Sequence, residues 1–127
     1  MGGNTPYNQR EYTLAVGATS TEYTDEIGMD TLGQYGTVGF FSLELQLAGG
    51  GTADLFYEVS FDGVTWYTTV NIIQAGVPAS YTTTLATGLT AGNSLYSLDP
   101  PIMPLIRFGL SETAGTPVTA TIKLVAQ

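Results

Sequence analysis

The sequence predicts an all-β protein, a two-sheet antiparallel β-sandwich of about eight or nine strands. Three observations carry that prediction. Apolar residues recur with a period of two along most of the chain, and charged residues make up only 11% of it. Gly and Pro, 16 and 6 in number, punctuate the alternating runs at short intervals. Long solvent-facing helices need Lys, Arg and Glu along their wet side, which this composition does not supply. At 127 residues the chain has the size of one domain. Roughly two-thirds of the unfolded surface is buried at such a length, so a core needs no disulfide or metal staple.

The elements follow in chain order. Residues 1–11 are polar, contain Gly, Asn and Pro, and do not alternate; they read as an arm ahead of a single sandwich domain over 12–127. Such an arm is either a frayed terminus or a segment that docks on a neighbouring subunit through Tyr7, Arg10 and Tyr12, residue types favoured at interface anchors. Residues 12–16 and 23–27 carry β-branched and aromatic side chains in alternation. Over 38–48, Phe41, Leu43, Leu45 and Leu47 fall on one face, with Ser42, Glu44 and Gln46 on the other. Leu55, Tyr57, Val59 and Phe61 then alternate with Phe56, Glu58 and Ser60. Weaker strands are expected over 64–70, 81–87 and 94–98. Ile106, Phe108 and Leu110, followed by Val118, Ala120, Ile122, Leu124 and Ala126, complete the set. Gly49-Gly50-Gly51, residues 75–79, Gly92-Asn93, Pro100-Pro101 and Gly115-Thr116-Pro117 supply turns. Asp62-Gly63 is expected to form a type I′ hairpin turn.

Charge and residue inventory exclude several functions. Eleven acids against three bases give a net charge of −8, which repels nucleic acid and anionic membrane alike. No apolar run approaches the ~20 residues that cross a bilayer. The first residues have neither a basic start nor an apolar stretch, so no export signal is expected. With no Cys and no His, disulfides, thiol nucleophiles, the usual transition-metal ligands and Ser/His/Asp catalysis are absent. No phosphate-binding loop or dinucleotide fingerprint occurs. The expectation is therefore no enzyme and no cofactor.

The remaining polar residues have structural readings. Asp62 is expected to stabilise the turn before Gly63. Trp66, sharing a face with Val64, Thr68 and Val70, is expected in the core, and Tyr67 on the opposite side as an exposed contact. Glu22, Asp25, Glu26 and Asp30 lack the spacing of a Ca²⁺ loop and read as a solvated acidic face. Arg107 points away from Ile106 and Phe108; beside Glu44 or Glu58 it would form a cross-strand pair contributing about 0.2–1 kcal/mol.

The segment Tyr57-Glu58-Val59-Ser60-Phe61-Asp62-Gly63-Val64-Thr65-Trp66-Tyr67 resembles a recurrent element of bacteriophage virion proteins, in which a strand ends in a Ser-x-Asp-Gly turn and returns with a Trp. Tyr-Thr-Asp-Glu-Ile at 23–27, Gly36-Thr37-Val38, Leu105-Ile106-Arg107-Phe108 and Gly-Thr-Pro-Val-Thr-Ala-Thr-Ile at 115–122 extend the likeness over roughly 20–127. The resemblance implies a jelly-roll-like sandwich serving as a virion part, a capsid decoration (cement) protein or tail component. It further implies major capsid protein or other virion proteins as partners, a homotrimer, and a place on the outer capsid surface after assembly in the host cytoplasm. The alternative is a carbohydrate-binding sandwich or tail-associated adsorption accessory, with Tyr67, Tyr81 and Tyr96 as a flat platform.

Overall fold

The computed structural model describes residues 8–29, 41–101 and 103–126. Eleven strands are assigned in them: β1 Asn8–Val16, β2 Thr21–Tyr23, β3 Ile27–Gly28, β4 Phe41–Gly49, β5 Ala53–Ser60, β6 Thr69–Gln74, β7 Val77–Thr82, β8 Thr84–Leu89, β9 Gly92–Leu98, β10 Leu105–Glu112 and β11 Val118–Ala126. One sheet has the order β1-β11-β4-β9; the other is β2-β10-β5-β8, with β3 also on β10. All pairs are antiparallel. The chain changes sheet at β1/β2, β3/β4, β4/β5, β8/β9, β9/β10 and β10/β11, the double Greek-key wrapping of a jelly roll. Between β5 and β8 it detours into a separate hairpin, β6–β7.

The period-two pattern sets the core. On β4, Phe41, Leu43, Leu45 and Leu47 are buried, and across the register the three leucines meet Leu124, Ile122 and Ala120 of β11. On the facing sheet Ile106, Phe108 and Leu110 stand beside Val59, Tyr57 and Leu55. Phe108 joins the layers by an edge-on contact with Phe41 (centroids 5.9 Å apart), and within its own sheet it makes a tilted contact with Tyr57 (6.3 Å).

Several local expectations are corrected. Residues 8–11, assigned to an arm, run as strand: Asn8 to Glu11 pair with Ala126 to Lys123. Backbone pairing does not require an apolar pattern; β1 is the outer strand, so Arg10 is exposed although it pairs with buried Leu124, while Tyr12 is half-buried and Leu14 buried. Tyr7 and Gly36-Thr37-Val38 lie outside the described residues. The 23–27 strand is split, because Thr24 turns inward; its backbone NH donates to Phe108 O at 2.8 Å and its Oγ1 accepts from Phe108 NH at 3.1 Å. The type I′ turn sits at Ala75-Gly76, where φ is +52° and +79° between paired Gln74 and Val77. At Asp62-Gly63 only the glycine has positive φ (+78°).

Gly109 shows how closely the outer face of the second sheet is packed. A Cβ there would lie 2.4, 2.7 and 3.0 Å from Cζ, Cε2 and Cε1 of Phe56. That ring covers the glycine and meets Tyr23 edge-on at 5.9 Å. Gly109→Ala must lever the ring away, and a loss of about 1–3 kcal/mol is expected in urea unfolding.

Candidate interaction surface

The surface begins where β5 ends. Ser60 is fully buried; its Oγ accepts from the Gly63 NH at 2.9 Å and donates to Asp62 Oδ1 at 3.2 Å. Asp62 Oδ1 in turn accepts from the NH groups of Thr65 (3.0 Å) and Val64 (2.9 Å). Those donors hold its carboxyl below the usual range, the Thr65 NH most of all. With its own backbone donors met in this way, the loop projects Phe61 and Val64 into solvent, 72% and 82% exposed.

The returning chain touches β5 once, through two backbone hydrogen bonds between Val59 and Tyr67. Residues directly opposite share a face, so Tyr67 takes the Val59 side, where it stays half-exposed at the rim. Trp66 takes the other side. The expectation that Trp66 belongs to the core is therefore corrected: it is only half-buried, and the Arg107 guanidinium carbon lies 4.1 Å from its ring centroid. The same carbon is 3.9 Å from the Tyr23 centroid. Arg107 also binds Glu58, its register partner, through Nη2 (2.7 Å) and Nε (2.8 Å) to Oε1. Aromatic faces attract guanidinium, and the period-two inference failed because a seven-residue loop removes the register it assumed.

Beyond Thr68 the hairpin β6–β7 leaves the sandwich. Its base is clamped by Thr83, buried at the junction with β8. The Thr83 NH donates to Thr68 O (2.9 Å), its carbonyl accepts from the Tyr57 NH (3.1 Å), and its hydroxyl donates to Tyr57 O. Tyr81 adds a side-chain hydrogen bond to Tyr57, whose phenol is pushed up to about 12, chiefly by burial. Thr83→Val deletes the hydroxyl but keeps the shape. We expect a loss of about 1–3 kcal/mol in urea unfolding, with faster proteolysis within 69–82.

The hairpin presents apolar surface to water. By register Val70, Ile72, Val77, Ala79 and Tyr81 share one of its faces. Among the described residues eight large apolar side chains are exposed, and six of them (Phe61, Val64, Tyr67, Ile72, Val77 and Tyr81) belong to this loop and hairpin. No charged residue occurs between Asp62 and Asp99, although the chain carries −8. Other acids lie elsewhere, among them Glu11 on β1, Glu22 on β2 and Asp25 after it, while Glu26 sets its carboxylate beside Gly63 of the loop. Among the described residues no group of acids converges to hold a metal ion, and Asp30 falls outside them.

The sequence-predicted contacts are thus scattered. Arg10 and Tyr12 lie on β1, Tyr67 at the rim, and Asp62, Gly63 and Trp66 in the loop. The three-tyrosine platform is not formed. Tyr96 pairs with Leu43 and packs on the core from the first sheet, whereas Tyr81 belongs to the hairpin. The hairpin's exposed face was missed because Val77, Pro78 and Ala79 read as a turn; the signal available was the long charge-free run.

No protein-family model and no curated protein sequence matches the chain. Solved structures similar in backbone include PirA, at 12% identity over 94% of each chain with a TM-score of 0.49. The SPBc2 prophage-derived protein YomS is 11% identical over 98% of this chain and 99% of its own, with a TM-score of 0.46. The periplasmic inhibitor of g-type lysozyme PliG from Aeromonas hydrophila is 9% identical over 100% and 93%, at 0.49. Likeness at this level says nothing about what the chain binds.

Proposed function

We propose that the chain is a virion structural protein, a capsid decoration protein that binds and stabilises the major capsid lattice from its outer surface, and not a catalyst. The observation that carries the reading is the gathering of exposed apolar side chains on the loop and hairpin between β5 and β8, within a run that holds no charge after Asp62. Monomeric soluble proteins rarely leave such a patch uncovered, and an isolated two-stranded hairpin is marginally stable in water. The acids outside the run keep the free subunit soluble. Each contact needs only modest affinity, because a lattice presents many sites at high effective concentration. The resemblance of residues 57–67 to phage virion proteins points the same way.

The test is to purify particles from cells that make the protein and image them by electron microscopy. The chain is expected as a regular outer layer, with the β6–β7 hairpin against the shell. Particles that lack the protein after purification and do not take it up when it is added back would refute the reading.

A further inference from the structure

We infer that the free edge of β9 pairs with the β9 of a second copy of this chain, antiparallel about a two-fold axis through Leu95. This goes beyond capsid attachment and concerns the other sheet. A sheet edge is a row of unsatisfied backbone donors and acceptors, and proteins guard edges with charge, brevity, proline or bulges. Among the described residues the other outer strands of the two sandwich sheets are guarded, β3 by its length of two residues. β1 carries Arg10 and Glu11, β2 is three residues long and carries Glu22, and β8 has a broken register against β5 and a left-handed Gly88 (φ +65°).

β9 has no charge, no proline and no break in register, and its one positive-φ residue is the first, Gly92 (+145°). It reads Gly92-Asn93-Ser94-Leu95-Tyr96-Ser97-Leu98, and its register with β4 runs from Leu98↔Phe41 to Gly92↔Leu47. Among the described residues no strand occupies its other edge.

The occupant follows from the strand's own symmetry. Leu95 is the middle residue of the seven, so pairing the full strand with itself matches Gly92 with Leu98, Asn93 with Ser97, and Leu95 with Leu95. Leu95 is 77% exposed on the outer face, where direct opposition lets each leucine cover the other. Two copies that each carry −8 can meet here because the strand is neutral; Asp99, just beyond it, falls past the end of the pairing. The charged groups on the Leu95 row, Glu44, Lys123 and Glu11, lie one, two and three strands inward. Seven residues span about 23 Å. The product is one eight-stranded sheet, weakly held and dependent on concentration.

Sedimentation equilibrium on the purified chain, with no particles present, tests this. Wild type should show a monomer–dimer equilibrium in the micromolar range. Leu95→Lys and Leu95→Glu, with circular dichroism confirming the fold of each, should dimerise about tenfold or more weakly, because like charges meet on the axis. An equimolar mixture of the two variants should recover dimer. Wild type that is monomeric at hundreds of micromolar, a trimer, variants as dimeric as wild type, or a mixture no better than its components would each overturn the pairing.

Discussion

Glu112→Gln is expected to cost more stability than any other single polar substitution in the sandwich, and to remove much of its sensitivity to acid. β10 places Glu112 on the inward side of the alternation Ile106, Phe108, Leu110, and the residue is buried. Its carboxylate accepts from four backbone NH groups: Thr19 (2.9 Å), Thr52 (3.2 Å), Ala114 (2.7 Å) and Gly115 (2.7 Å). One side chain thereby fastens the β1–β2, β4–β5 and β10–β11 connections. Glutamine has one acceptor oxygen, and its amide would point donors at donors, leaving backbone groups unpaired.

The Thr19 NH contributes most to holding the Glu112 carboxyl at about 2, with Ala114, Gly115 and Thr52 adding to it. A glutamate in the unfolded chain titrates near ~4.3. The group's contribution is therefore complete above that value and disappears as pH falls through about 2. Thermal unfolding between neutral pH and pH 2 should show the wild-type midpoint falling toward that of Glu112→Gln, several degrees apart at neutrality and converging in acid. Parallel curves would mean that the carboxylate is not what the loops hold.

The second large effect is on binding. Ile72→Asp with Val77→Asp places charge on the hairpin's apolar face, where Val77 is 64% and Ile72 38% exposed, and circular dichroism checks that the variant keeps its fold. Central apolar anchors of an interface are each worth about 2 kcal/mol or more, so the pair should weaken attachment by about a thousandfold. Thr121→Asp on the outer face of the first sheet, which also adds a negative charge but removes no apolar side chain, should leave attachment intact.

What was legible in the sequence follows from how local each cause is. The alternating runs of β4, β10 and β11 were read correctly because period two is written in adjacent residues. On β5 the reading holds for Leu55, Tyr57 and Val59. Ser60, expected on the wet side, is fully buried and Phe61, expected on the core side, is 72% exposed, because the Ser60 hydrogen bonds to Asp62 and Gly63 turn the chain there. The Arg107–Glu58 pair was foreseeable as soon as those two strands were neighbours, since both residues point outward. The position of Trp66 was not, because it depends on how far the Ser60–Asp62 hydrogen bonds carry the chain before it rejoins β5. The role of Glu112 was hidden in plain view: an acid at an inward position, followed by Thr-Ala-Gly, has to find donors nearby. The hairpin's emergence as a free face depended on β6 and β7 pairing with each other and with neither sheet, which no local pattern expresses.

The central claim is that the loop and hairpin between β5 and β8 are the adhesive surface. Co-sedimentation of purified protein with particles stripped of it tests that claim most directly, comparing wild type, the Ile72→Asp/Val77→Asp pair and Thr121→Asp. Wild type and Thr121→Asp should pellet with the particles to the same saturation while the double variant remains in the supernatant. A double variant that binds as wild type does would contradict the account.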